Sequence, residues 1–428
     1  WINIFGISEF SLRLPSVLFN TATVILVFLI GKELFNKNIG IVATIFIGLS
    51  PFHLWYAQEA RDYGMLLFWA TLSSYFLFRA IREEKNKLWL FYVLSSVVSI
   101  YTNYFYILLF IAQCICLLYL KVYKLNFKEI IYILLIPFFF LPFLPVFLKK
   151  FYFVWQGFWV PKPTLHSFFI TLENFMLGYN GTNVLYFIFD ILIGVLFLSG
   201  ILGLRRSVLR QSFILCLSLF CLPIIFAFCF SGLFFSIYLD RGLIICSPYY
   251  YLILSYGLIN LKKIIRVPLF LILISILLIC AWRFFNDFIF EPLSHHIGTY
   301  IKKPVRPIVR FLLDNVDLHQ DVIAFTNVST IPSINFYSQN KLTDYLYLFD
   351  PKYPDTTWQR PIRESKRNIS IQRMSSLDFK RLWVISSDWA RSGKLDPNSN
   401  SVKGWLDRNF RLESAKEFDG LWIFRYIK

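Results

Sequence analysis

The chain has 428 residues, of which 57% are hydrophobic, 20% aromatic and only 16% charged. A soluble protein of ordinary composition is about one quarter charged, and 48 Phe, 24 Tyr and 12 Trp exceed what one water-soluble core can bury. Disorder and an ordinary cytosolic enzyme are excluded, which leaves a polytopic α-helical membrane protein with a soluble appendage.

Charge density more than doubles near Asn286. Residues 1–285 hold 22 Lys and Arg with 10 Asp and Glu, whereas residues 286–428 hold 21 and 16. The step marks a membrane domain over 1–285 and a soluble domain over 286–428. A spanning helix needs about 20 largely apolar residues. Ten stretches are predicted to span: 14–31, 39–56, 62–80, 88–102, 104–121, 129–148, 184–204, 211–232, 243–261 and 267–285. Pro137, Pro142 and Pro145 predict a kink in the sixth, which bundles tolerate where neighbours satisfy the freed backbone. Residues 150–175, with Trp155, Trp159, Pro161 and Pro163, read as an interfacial aromatic loop. All 7 cysteines fall in apolar segments and read as small apolar fillers, with no disulfide framework.

Orientation follows from Lys and Arg in short loops. Alternate loops (32–38, 79–87, 121–128, 205–210 and 262–266) hold 15 of them, against 7 on the other side and at the remaining helix ends. The positive-inside rule then puts the loops at 53–61, 149–183 and 233–242, and the soluble domain, outside the cytoplasm. The net charge of +17 is met by anionic lipid at those loops and needs no nucleic acid.

The soluble domain reads as α/β. Residues 302–315 predict an amphipathic helix, Asp321–Phe325 a buried strand, Ser333–Tyr337 a helix start, and Arg381–Ser386 a second strand. Val402–Asn409 predicts a helix and Leu421–Tyr426 a closing strand, while 350–376 is polar and loop-like. His295 and His296 read as surface residues, and Asp190 as a polar group within the seventh span.

Ionisable residues at a membrane are costly, so their placement is informative. Three clusters lie on the predicted outer side. In Glu9–Ser16, Arg13 precedes a spanning helix, as an interfacial anchor or an anion ligand. The second cluster, His53 to Tyr63, follows the helix-breaking Ser50-Pro51. If 56–63 is helical, Tyr56, Glu59 and Tyr63 share one face, Gln58 and Asp62 another, and Arg61 lies between. Arg61 forms either an ion network with Glu59 and Asp62 or a fork for phosphate. The third is Asp240-Arg241, a salt bridge or the source of a third guanidinium for an anion.

These residues resemble the GT-C membrane glycosyltransferases, in the branch of the protein O-mannosyltransferases and the lipid A aminoarabinose transferase. The resemblance rests on Phe5-Gly6-Ile7-Ser8-Glu9-Phe10-Ser11-Leu12-Arg13-Leu14-Pro15-Ser16. It is joined by Ser50-Pro51 leading to Tyr56-Ala57-Gln58-Glu59-Ala60-Arg61-Asp62-Tyr63, then Tyr101-Thr102-Asn103-Tyr104 and Asp240-Arg241 with Pro248. It implies a polyprenyl-phosphate sugar donor, used with inversion on the outer side of the membrane, and an acceptor that is lipid, glycan or protein. It also implies an integral, multi-pass protein of the bacterial plasma membrane.

The resemblance assigns donor-phosphate contacts to Arg13, Arg61 and Arg241. Glu59 and Asp62 become the carboxylates of the chemistry. Tyr56, Gln58 and Tyr63 line the cavity, with His53 and Asp240 among the substrate-binding candidates. Some members bind a divalent metal, for which Glu59 is the candidate ligand. The acidic general base is expected upstream of Phe5, and so before Trp1, preceded by one more apolar segment. The chemistry is consistent: guanidinium groups or a metal stabilise the charge growing on the departing phosphate, and a carboxylate must reach the acceptor hydroxyl. Two other readings are a lipid or solute transporter and a non-catalytic membrane scaffold with an α/β binding domain. A transporter calls for repeated halves with broken helices at mid-membrane, and the sequence shows no internal repeat.

Overall fold

Ser8 and Ser11 open the first long helix of the molecule. The Ser8 hydroxyl accepts from the Ser11 backbone N–H at 3.1 Å, and the Ser11 hydroxyl accepts from the Ser8 N–H at 3.2 Å, which satisfies two of the free donors of a helix start. In this computed structural model the helix, α2 (Glu9–Leu34), follows a short α1 (Ile2–Phe5). Pro15 cannot donate to the Ser11 carbonyl one turn back. The indole N–H of Trp1 donates to that carbonyl instead, at 2.6 Å, so the proline that interrupts α2 also seats α1 on it.

The structure describes residues 1–428 apart from 122–125, 156–159, 205–208, 287, 289–304, 318, 343, 353–367, 377–378 and 388–394. The chain divides into two units, Trp1–Tyr152 with Val160–Gly298, and Phe153–Trp159 with Thr299–Lys428. His295 and His296 lie outside the described residues.

The first unit is helical. After α2 come α3 (Lys37–Leu49), α4 (Pro51–Ala57), α5 (Tyr63–Glu83), α6 (Asn86–Thr102), α7 (Tyr106–Lys121), α8 (Phe127–Phe140), α9 (Leu144–Trp155), α10 (Leu165–Leu177), α11 (Asn183–Gly203), α12 (Arg210–Leu233), α13 (Ser247–Asn260) and α14 (Lys263–Phe285). Among the described residues seven helical segments are long and apolar enough to cross a membrane, and α3 with α4, bent by 62°, makes an eighth. The other two predicted spans are α6, of 17 residues, and α7, described over 16 residues to Lys121, close to the lower end of spanning length. In the sixth span α8 and α9 are joined through a 3₁₀ turn at Leu141–Phe143, which contains Pro142. The stretch read as an aromatic loop contains the end of α9 and most of α10, which runs on to Leu177. Thr164 and Ser167 form the capping box that starts α10, and Gly178 ends it at φ 63°, a conformation that favours glycine.

Small residues set the closest helix contacts, as expected where backbones must approach. A Cβ on Gly257 would lie 2.1 Å from the Leu196 carbonyl oxygen. The Ser199 hydroxyl donates to the Gly257 carbonyl at 2.8 Å, which fastens α11 to α13. Deeper in the bundle Gln113 organises a polar network. It accepts from Tyr92 at 3.2 Å and from Tyr106 at 3.1 Å, and donates to Ser73 at 3.1 Å and Ser74 at 2.8 Å.

The second unit is α/β. Its helices are α15 (Val305–Asn315), α16 (Ile331–Tyr337) and α17 (Pro397–Asn409). Its strands are β1 (Asp321–Phe325), β2 (Tyr345–Phe349), β3 (Asn368–Ser370), β4 (Arg381–Ser387), β5 (Arg411–Phe418) and β6 (Leu421–Ile427). They form one sheet in the order β3-β2-β1-β4-β6-β5. The first four are parallel, and β6 runs antiparallel to both β4 and β5. Ile308 and Leu312 of α15 and Ile334 of α16 pack on one face, and Val402 and Leu406 of α17 on the other. A sheet buried on both faces explains the near-continuous apolar runs of β1 and β4.

Candidate active site

Ser50 and Pro51 end α3 and start α4. The Ser50 hydroxyl donates to the Phe175 carbonyl at 2.8 Å, so the break is tied to α10. The 56–63 segment is not one helix: α4 stops at Ala57, the chain turns through Gln58–Asp62, and α5 starts at Tyr63. The turn is pinned to α2 by the Ser16 hydroxyl, which donates to the Glu59 carbonyl at 2.7 Å and the Arg61 carbonyl at 3.3 Å. Even so, the Tyr56 and Tyr63 rings meet edge to face at 5.3 Å.

The turn carries the charges. Arg61 lies 3.2 Å from Glu59 and is about half exposed. Asp62 accepts from the Asn103 side-chain amide at 2.8 Å. Arg241 stacks over the Tyr63 ring at 5.7 Å. Tyr63 thus stands within electrostatic reach of Arg241, Asp62, Arg61 and Glu59, and Tyr56 within reach of Glu59 and Arg241. Two sequence-distant clusters therefore converge around two tyrosines.

The third cluster is built on α10. Asp240 accepts from the Thr171 hydroxyl and the Asn174 amide, both at 2.6 Å, and Tyr238 bonds Thr171 at 2.9 Å. Held from α10, Asp240 fixes the backbone that presents Arg241. An apolar-walled cavity of ≈570 Å³ lies between α5 and α6, lined by Asp62, Met65, Val97, Val98, Tyr101 and Thr102.

The remaining candidates are placed as follows. Arg13 lies on the first turns of α2, one turn before Ser16, with Glu9 at 3.8 Å. Gln58 is half-buried at the end of α4. His53 is 5% exposed and bonds the Ser247 hydroxyl at 3.1 Å, packed among Phe52 and Tyr251, so it sits in the core beneath the turn. Asp190 occupies an exposed position on α11. Among the described residues no three His, Cys, Asp or Glu side chains come together as a metal site. Glu59, the candidate ligand, is paired with Arg61 at 3.2 Å, and no step is routed through a metal.

Sequence reasoning missed Thr171, Asn174 and Tyr179, whose hydroxyl bonds that of Tyr56 at 2.8 Å. The Thr164-x-x-Ser167 cap was the signal that α10 exists, and Thr171 and Asn174 share one of its faces.

The arrangement is comparable with known proteins. Residues 1–148 match the family model of dolichyl-phosphate-mannose-protein mannosyltransferases. No curated protein matches the chain in sequence. Among solved structures, ArnT from Cupriavidus metallidurans in the apo state superposes with a TM-score of 0.61 at 10% identity, covering 99% of this chain and 85% of that one. The same protein bound to undecaprenyl phosphate gives 0.63 at 12% identity, with the same coverage. At this identity the likeness speaks for the fold. The chain is thus similar to the GT-C membrane glycosyltransferases, in sequence over residues 1–148 and in fold along its length.

Proposed function

We propose that the protein transfers a sugar from a polyprenyl-phosphate donor to an acceptor on the extracytoplasmic side of a bacterial plasma membrane, with inversion. The observation that carries this reading is the meeting of Glu59, Arg61 and Asp62 with Arg241 around Tyr63. That arrangement lies beside an apolar-walled cavity in a fold shared with an ArnT bound to undecaprenyl phosphate.

In this reading Arg61, Arg241 and Arg13 receive the phosphate. A guanidinium offers a planar fork that suits phosphate oxygens, and it stabilises the charge that grows as the sugar–oxygen bond breaks. Arg241 is preorganised by the Tyr63 face and by the anchored Asp240 beside it. Glu59 and Asp62 orient the acceptor hydroxyl, and Tyr56, Gln58 and Tyr63 line the sugar's side of the site. His53 serves from below, by bracing α4 against Ser247. The cavity between α5 and α6 takes part of the isoprenoid chain. The positive-inside count supports the outer placement of this end.

The test uses the full-length protein, with undecaprenyl phosphate as ligand and an undecaprenyl-phosphate-linked sugar as donor. Arg61→Ala and Arg241→Ala are each expected to weaken undecaprenyl phosphate binding at least about tenfold, the scale of one lost charge-assisted hydrogen bond. Lys162→Ala, which removes a cation bonded to the Gly232 carbonyl, should leave binding unchanged. Equal binding by all three variants would reject the assignment.

A further inference from the structure

The opposite end of the helical unit holds a second feature that the sugar-transfer reading does not use. A cavity of ≈300 Å³ is lined by Asn38, Ile41 and Val42 of α3, Ile259 of α13 and Arg266 of α14. Two helix corners bound it, the α2–α3 corner with Lys32 and Lys37 and the α13–α14 corner with Lys262, Lys263 and Arg266. Close packing brings these corners together. A Cβ on Gly31 would lie 2.6 Å from the Gly40 Cα and 2.8 Å from a Leu252 methyl, and the Phe35 and Tyr256 rings lie 5.4 Å apart.

The charge balance at this end is one-sided. Glu33, the acidic residue of the two corners, is taken by Arg82 at 2.7 Å. Among the described residues none of the five cations has a carboxylate partner. Arg266 donates from one guanidinium nitrogen to the Ile259 carbonyl at 3.2 Å, which leaves further donors of its fork free to bind an anion. A half-buried guanidinium against isoleucine and valine is costly without a counter-charge. The surfaces flanking the cavity are apolar, with Ile41 39% and Ile265 50% exposed.

We propose that this cavity binds an anionic phospholipid. Arg266 receives the phosphate with Lys37, Lys262 and Lys263 around it, and the first acyl methylenes lie on Ile41, Val42 and Ile259. The volume is too small for a whole lipid, so the acyl chains continue along the exposed apolar faces of α3 and α14. Basic pockets between membrane helices are suited to such headgroups, and the apolar wall selects a lipid over free phosphate.

The experiment is lipid retention by the full-length protein, purified in neutral detergent and examined by native mass spectrometry. It compares phosphatidylglycerol with phosphatidylcholine of matched chains, and adds an arm with inorganic phosphate. The wild type is expected to retain phosphatidylglycerol about tenfold better than phosphatidylcholine. Arg266→Gln should abolish the preference. Ile41→Trp, which fills the cavity and keeps every cation, should abolish it too. Should either variant fail to fold, the Lys37→Gln/Lys263→Gln pair, exposed at both positions, is expected to reduce the preference. Equal retention of the two lipids, a preference that survives Ile41→Trp, or displacement of the lipid by inorganic phosphate would each overturn the proposal.

Discussion

The Arg241 guanidinium carbon lies 5.7 Å from the centre of the Tyr63 ring, which joins the segment before α13 to the start of α5. A guanidinium over an aromatic face gains about 0.5–2 kcal/mol, the more so when desolvated. Tyr63→Leu keeps an apolar side chain but removes the face. Undecaprenyl phosphate binding by the full-length protein is expected to fall about two- to thirtyfold, the equivalent of that energy. Tyr63→Phe keeps the face and should bind like the wild type. A Phe variant as weak as the Leu variant would assign the effect to the hydroxyl and not to the ring.

Much of this architecture is legible in the sequence because it follows from local chemistry. Long apolar runs have one solution in a bilayer. β1, β4 and β6 are readable because strands buried in a sheet are continuously apolar. β5 (Arg411–Phe418) was not, since most of its residues are exposed, and its pairing with β6 supplies what its composition does not. α10 was missed for a related reason: its flanking Trp and Pro residues resemble an interfacial loop, and its burial comes from α4 and the 238–240 segment, which sequence spacing does not reveal. In the site, the charged residues stood out individually. Which of them meet is decided by Ser16, Thr171 and Asn174, ordinary polar residues whose role exists only in three dimensions.

Gly257 offers a stability test of the bundle. Its missing Cβ would lie 2.1 Å from the Leu196 carbonyl oxygen, and a backbone atom cannot rotate aside as a side chain can. Gly257→Ala must separate α11 from α13 and stretch the Ser199 hydrogen bond to the Gly257 carbonyl. Overpacking of this kind costs about 1–3 kcal/mol, to be read as a lowered melting temperature of the full-length protein in detergent. Gly194 on α11 has nothing within 4 Å of its Cβ position. Gly194→Ala should therefore match or exceed the wild type, because alanine is the better helix former. If both variants melted alike, the α11–α13 contact would not be what limits stability.

In the second unit Asp321 gives an acid-sensitive link between β1 and β4. Its side chain is fully buried. It accepts from Arg381 at 2.8 Å, from the Trp383 indole at 3.0 Å and from the Asp317 backbone N–H at 2.9 Å. Burial alone disfavours the charged carboxylate, but the bonds from Arg381, Asp317 and Trp383 outweigh it and hold the group below its usual 3.8. Because the folded form binds the proton more weakly than the unfolded chain, this stabilisation is complete above 3.8 and is lost as the pH falls below that value. Asp350, held low against its own burial by Ser401 and the Lys352 backbone N–H, titrates in the same direction, so the two must be separated by mutation. Amide protection in β1 and β4, corrected for intrinsic exchange and measured on the full chain, is expected to drop through this acid range in the wild type. Asp321→Asn should show lowered protection already near neutral pH, by about ten- to a hundredfold, the scale of one lost hydrogen bond to a charged group. Its acid response should be smaller than the wild type's and should retain the part that Asp350 contributes. Wild-type protection and an unchanged acid profile in Asp321→Asn would mean that the Arg381–Asp321–Trp383 contact does not hold β1 to β4.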